Sequence, residues 1–197
     1  MAWSKVPVFE RARDRRGYAR ESVAGETHSD TANPEVANSV CPGCGLELPG
    51  EGLVRDARYN ASGECRRRFD DLSFWTLARR DAQFVHQYAV DAYAAQHARV
   101  SGPTISAAFP LVGLYLAVEK GWSGRQVQRT HQLLATRAKE WPRFLPPADL
   151  GTMTVLDVVG CARGPDRGQA LLRWCASVWD AWKADHERVR LVVEKLP

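Results

Sequence analysis

Cys41-Pro42-Gly43-Cys44-Gly45 places two thiols three positions apart around Pro and Gly, the form of half a metal-binding knuckle. A third thiol, Cys65, follows in Asn60-Ala61-Ser62-Gly63-Glu64-Cys65. Three soft ligands favour zinc, which takes four in a tetrahedron. The fourth donor decides the chemistry. A protein side chain closes the site and makes it structural, whereas a water leaves a position open for catalysis. Other uses of Cys-x-x-Cys fit less well. A redox dithiol opens a helix after a strand, and no strand reads out ahead of Cys41. Covalent haem attachment puts His directly after the second Cys, where Gly45 stands. An iron–sulfur cluster wants four closely spaced Cys. Cys161 and Cys175 fall on apolar helix faces and read as core residues.

The fourth donor is sought among the histidines of Phe84–His97. At 100° per residue His86 and His97 point nearly the same way, but they are about 16 Å apart along the axis of a continuous helix. They cannot share an ion there, and Asp91, rotated well away, completes no His-Asp-His triad. If residues 65–98 form one rod, Cys65 and His97 are about 48 Å apart. If the chain turns back near Asp81, the start of the first helix lies beside the end of the second, and His97 becomes the fourth ligand. The expected metal set is therefore Cys41, Cys44, Cys65 and His97, on condition of that turn.

A second constellation is Trp174-Cys175-Ala176-Ser177-Val178-Trp179-Asp180-Ala181-Trp182 with His186. Trp182 and His186 are i, i+4 neighbours on a helix face. Three Trp so close together ordinarily mean core packing. The alternative is an apolar pocket for a small-molecule ligand, with His86, Tyr93, His131 and His186 as its candidate catalytic groups and Asp185 beside them.

The elements that must position these groups read as helical. From Arg66 the apolar residues Phe69, Leu72, Trp75 and Leu77 mark one helix. Phe84, Tyr88, Ala92 and Ala95 mark another that ends near His97, before the break at Ser101-Gly102-Pro103. Pro103–Lys120 is apolar all round and is expected to be central and buried, with Pro110 kinking it or marking an entry turn. Ser123 can cap a helix to about Lys139, with Val127, Leu133 and Leu134 inward, and Thr154 one over Val155–Cys161. A last helix is expected from about Asp166 to Glu194, with Leu171, Cys175, Val178, Trp182 and Val189 as its stripe. The fold class is all-α: an irregular bundle of five or six helices preceded by a zinc-binding loop. Residues 1–38, with Arg11, Arg13, Arg15, Arg16 and Arg20 followed by a polar stretch, read as a flexible arm. Residues 39–197 read as one helical domain, divided into a zinc loop over 39–65 and a bundle over 66–197.

Composition narrows the class further. The chain has 197 residues, of which 45% are hydrophobic, and seven Trp, enough for a sizeable core. No apolar run approaches 18 residues and no signal-peptide pattern opens the chain, so neither a membrane partner nor export is expected. Five Cys, an odd number, argue against a disulfide framework and for a reducing, cytoplasmic setting. A net charge of +4 is too small to imply a nucleic-acid partner. Arg far outnumbers Lys, as in high-GC bacterial coding sequences.

At Cys41-Pro42-Gly43-Cys44-Gly45, Ala61-Ser62-Gly63-Glu64-Cys65, Val90-Asp91-Ala92-Tyr93-Ala94-Ala95-Gln96-His97, Pro146-Pro147 with Thr154-Val155-Leu156-Asp157-Val158, and Val178-Trp179-Asp180-Ala181-Trp182 with His186, the chain resembles an uncharacterised, mainly actinobacterial domain family. The resemblance covers about residues 40–190. Members of that family often carry Trp after the third Cys, Pro after the Gln-His pair and a His in the central apolar helix. Here Arg66, Ala98 and Phe109 or Pro110 stand at those places. The resemblance implies no reaction, and if the missing His is functional in the family, this chain has lost or changed that activity. Two functions remain: a small-molecule enzyme, its zinc holding a water, or a regulatory or protein-interaction module with a purely structural zinc. No phosphate loop, nucleophile elbow or His-Glu-x-x-His pattern points to a familiar enzyme class.

Overall fold

Two short strands frame the first two cysteines. β1 (Asn38–Val40) and β2 (Glu47–Pro49) pair antiparallel, with Ser39 opposite Leu48. The connection between them carries Cys41 and Cys44, closed by Cys41 N–H to the Leu46 carbonyl at 2.9 Å and Gly45 N–H to the Cys41 carbonyl at 2.9 Å. Gly45 sits at φ +71°, a left-handed conformation that side chains resist. The computed structural model describes residues 37–137 and 140–194. The Arg-containing arm expected over 1–38 lies, up to residue 36, outside them.

Helix α1 (Gly63–Ala78) starts three residues before the expected Arg66, so Cys65 belongs to its first turn and not to a loop. The reason is local. Ser62 is an extended N-cap whose hydroxyl accepts from the Cys65 N–H, at 3.2 Å. Phe69, Leu72 and Trp75 face the core, while Leu77 is exposed.

The chain then turns. α1 ends at Ala78 and α2 (His86–Gln96) begins eight positions later and packs back on it. The reversal uses no Gly or Pro. Arg80 and Phe84 take positive φ, +47° and +53°, a rare state for non-glycine residues. α3 (Ile105–Val118) is the central helix anticipated from its composition: Ala107, Ala108 and every residue from Pro110 to Leu116 are buried, against α2, α4, α6 and α7. α4 (Gly124–Arg137) buries Val127 and Leu134, while Leu133 is exposed, opposite to expectation. Thr154 caps the short α5 (Val155–Val159) in a reciprocal box with Asp157.

The single last helix expected over Asp166–Glu194 is broken. α6 runs over Pro165–Ala181, a 3-10 turn follows at Lys183–Asp185, and α7 covers His186–Glu194. The break has a visible cause at Trp179. Its carbonyl accepts from Trp182 N–H at 3.0 Å and from His186 Nε2 at 2.9 Å, in place of the i+4 donor that would continue the helix. The stripe Leu171, Cys175, Val178, Trp182 and Val189 is buried across the break. This extra segment makes seven helices among the described residues of a mostly α fold. None of them is long and apolar enough to cross a membrane.

Candidate functional site

The turn between α1 and α2 lays the first turn of α1 beside the C-terminal end of α2, and the strand connection covers both. Cys41, Cys44, Cys65 and His97 converge there, with one ligand atom from each lying within 4.8 Å of all the others. Cys44 Sγ is 3.8 Å from Cys65 Sγ, and Cys65 Sγ is 3.4 Å from His97 Nε2. Tetrahedral coordination with metal–sulfur bonds of about 2.3 Å puts sulfurs about 3.8 Å apart, so the spacing fits an ion at the centre. Cys41, Cys65 and His97 are buried to 1% exposure or less. The cluster can hold a metal ion.

The surroundings fix each donor. His97 Nδ1 donates to the Tyr93 carbonyl at 2.8 Å, which leaves Nε2 to face the thiols. Tyr93 is stacked between Phe69 and His97, each 4.0 Å away, and its hydroxyl donates to Cys65 Sγ at 3.9 Å. Glu64, beside Cys65, ties the covering segment to α1. Its carboxylate accepts from the Ser39 hydroxyl at 2.8 Å, Glu51 N–H at 3.0 Å and Leu53 N–H at 3.4 Å. The Glu51 amide first, with the other donors, holds the Glu64 carboxyl at about 2. Gln96, next to His97, is fully buried. It donates to the carbonyls of Leu150 and Met153 and accepts from Trp174 Nε1, joining the end of α2 to α6. A side chain at Gly43 has no room: a Cβ there would lie 2.4 Å from the Asn60 carbonyl oxygen and 2.6 Å from His97 Cδ2.

The close approach of the donors shifts three of them. Bonds from Cys44 and Cys65 hold the Cys41 thiol far below its usual range, while Cys41 and Cys44, with burial, push Cys65 up. Burial works to lower the pKa of His97, but Cys41 and Cys44 outweigh it and hold the imidazole at about 9. A lowered Cys41 thiol beside a raised His97 imidazole is the pairing of an anion with a cation, and a bound metal ion would supply the positive charge in place of the His97 proton.

Sequence reasoning gathered His86, Tyr93, His131 and His186 around one Trp-walled pocket. The structure gives them separate partners. Tyr93 is at the cysteine cluster. His86 Nδ1 is 2.9 Å from the Thr76 hydroxyl, between α1 and α2. His186 stacks on Trp179 at 3.8 Å and 4°, not on Trp182, because the helix breaks between them. His131 is the one with polar company. Its Nε2 donates to the Phe109 carbonyl at 3.1 Å. Its Nδ1 is 3.3 Å from Gln87 Nε2 and 3.9 Å from Asp91 Oδ1. Gln87 also donates to Asp91 Oδ1, at 3.0 Å. Burial drives the pKa of His131 down to about 4 and raises that of Asp91 well above its ordinary value. The two side chains meet on the lining of a cavity of about 290 Å³. Sequence reasoning missed Gln87 and Asp91 as partners of His131, since the contact joins α2 to α4 across many intervening residues.

No curated protein and no solved structure matches the chain. A family model does, described as a family of unknown function (DUF5946), over residues 39–183, which include all four cluster residues as well as Asp91 and His131. The chain belongs to that family.

Proposed function

We propose that the chain is a zinc-binding helical domain of a reducing, cytoplasmic compartment, in which Cys41, Cys44, Cys65 and His97 close a structural zinc site. The observation that carries this reading is the complete set of four protein donors, three of them buried, whose ligand atoms lie within 4.8 Å of one another. Three thiolates and an imidazole select zinc over oxygen-seeking cations. The site joins three segments that are distant in sequence: the strand connection, the start of α1 and the end of α2. Four protein donors leave no position for a reacting water, so small-molecule chemistry, if the domain performs any, belongs to the helical body.

Protein purified without chelator is expected to carry one zinc per chain. Its cobalt-substituted form should show a tetrahedral thiolate spectrum that azide leaves unchanged. Zinc-free protein of unaltered thermal stability, or a cobalt spectrum shifted by azide, would overturn the structural reading.

A further inference from the structure

The four donors of the cysteine cluster differ in their access to solvent. Cys41, Cys65 and His97 are buried, whereas Cys44 is half-buried. The knuckle sequence explains the difference. Cys44 stands between Gly43 and Gly45, so neither neighbour has a side chain to cover it, and a Cβ built at Gly45 meets nothing within 4 Å. The buried sulfurs have oxygen partners from the fold. Cys41 Sγ lies 4.0 Å from the Asn60 carbonyl, and Cys65 Sγ receives the Tyr93 hydroxyl at 3.9 Å. Cys44 Sγ is set against another sulfur, that of Cys65, 3.8 Å away. The thiolate is both the metal ligand and the nucleophile of cysteine chemistry. An accessible thiolate with a second thiol poised beside it is the arrangement that oxidises reversibly to a disulfide. Here the two sulfurs need approach only about 1.8 Å further to bond.

We infer that the cluster is a redox-sensitive switch in which a hydroperoxide oxidises Cys44, Cys65 resolves it to a disulfide, and zinc is released. The inference rests on the zinc reading above and adds regulation of that same site. The Cys44 sulfur attacks one oxygen of the hydroperoxide. The O–O bond breaks, Cys44 becomes a sulfenic acid and the other oxygen leaves as hydroxide. The Cys65 sulfur then attacks the Cys44 sulfur. An S–S bond forms, the S–O bond breaks and a second hydroxide leaves. Two thiolates have given up two electrons and the peroxide has taken them. The site keeps two donors of four, Cys41 and His97. The new bond joins the strand connection to the first turn of α1, so the two segments stay tied while the end of α2 loses its link to them through the metal. Cys161, the other half-buried thiol, is an internal control: it bonds to the Asp157 carbonyl at 3.3 Å and lies outside the cluster.

The test adds equimolar hydrogen peroxide to the zinc-loaded chain, follows zinc with a chromogenic chelator, and maps cysteines by peptide mass spectrometry. Roughly one zinc and two thiols per chain are expected to be lost together, with a Cys44–Cys65 disulfide and with Cys161 and Cys175 still free. Dithiothreitol with added zinc should restore the starting state. Brief iodoacetamide treatment of the zinc-loaded chain should label Cys44 ahead of Cys41 and Cys65. Zinc that stays bound while two thiols are lost, a Cys41–Cys44 disulfide, oxidation confined to Cys161, or earlier labelling of Cys41 or Cys65 would each overturn this inference alone. Zinc content is measured before peroxide is added, and a chain that binds none overturns the zinc reading as well.

Discussion

The two polar centres of the molecule both depend on α2, and they treat a buried histidine in opposite ways. At the end of the helix His97 lies among thiols, and its pKa is held up at about 9. Across the middle of the helix His131 meets an amide, a carbonyl and the Asp91 carboxyl, and burial brings its pKa down to about 4. Burial works against the charged imidazole in both places. The difference comes from the neighbours: anionic sulfur overrides the loss of water, whereas neutral dipoles do not. The first centre has a donor set that a cation completes. The second keeps an oxygen, Asp91 Oδ2, without a partner among the described residues.

The largest predicted effect separates the two by removing the first. Cys65→Ser takes a central donor from the cluster. Structural zinc contributes on the order of 10 kcal/mol, comparable with the whole stability of a domain. The variant is expected to lose stoichiometric zinc and its cooperative thermal transition, measured by metal analysis and circular dichroism. Full zinc content with an unchanged transition would break the contrast. A smaller effect acts on the second centre alone. Gly113→Ala drives a methyl into Asp91 Oδ2 and is expected to cost about 1–3 kcal/mol by overpacking. At about 2–4 °C per kcal/mol the Tm should fall by roughly 2–12 °C, with zinc content unaltered.

The smallest effect sharpens the protonation difference. The His97 pKa is raised from 6.5 to about 9, so its proton stabilises the metal-free fold fully below about 6.5. That contribution is lost as pH rises through about 9. A metal needs the Nε2 lone pair. Uptake of zinc between those limits must therefore expel the His97 proton, roughly one per chain at pH 7.5. Calorimetry in buffers of different ionisation heat measures it, and His97→Asn should remove that proton from the count.

Much of the first centre was legible because ligand chemistry is local. Cys41, Cys44 and Cys65 announce themselves by type and spacing, and helix geometry reduced the choice of His97 to one condition, a turn near Asp81. That turn was not itself legible. It is built by Arg80 and Phe84 in left-handed conformations, and neither residue type signals one. The early start of α1 had a signal in Ser62, an N-cap three residues before Cys65. The break at Trp182 had none, since the hydrophobic stripe runs through it unchanged. The second centre was hidden for another reason. Asp91 was weighed only against histidines on its own helix, and the groups that give it meaning, His131 and Gly113, belong to α4 and α3.

The packing at Gly43 changes which letters of the knuckle carry information. Pro42 is exposed, and what it offers Asn60 is a backbone carbonyl that any residue possesses. Gly43 presses bare backbone against the His97 ring, and Gly45 holds a left-handed turn. In this chain the informative letters of the knuckle are thus Cys-x-Gly-Cys-Gly, with a histidine at the end of the second helix. A side chain at the third position would push His97 away from the three thiols.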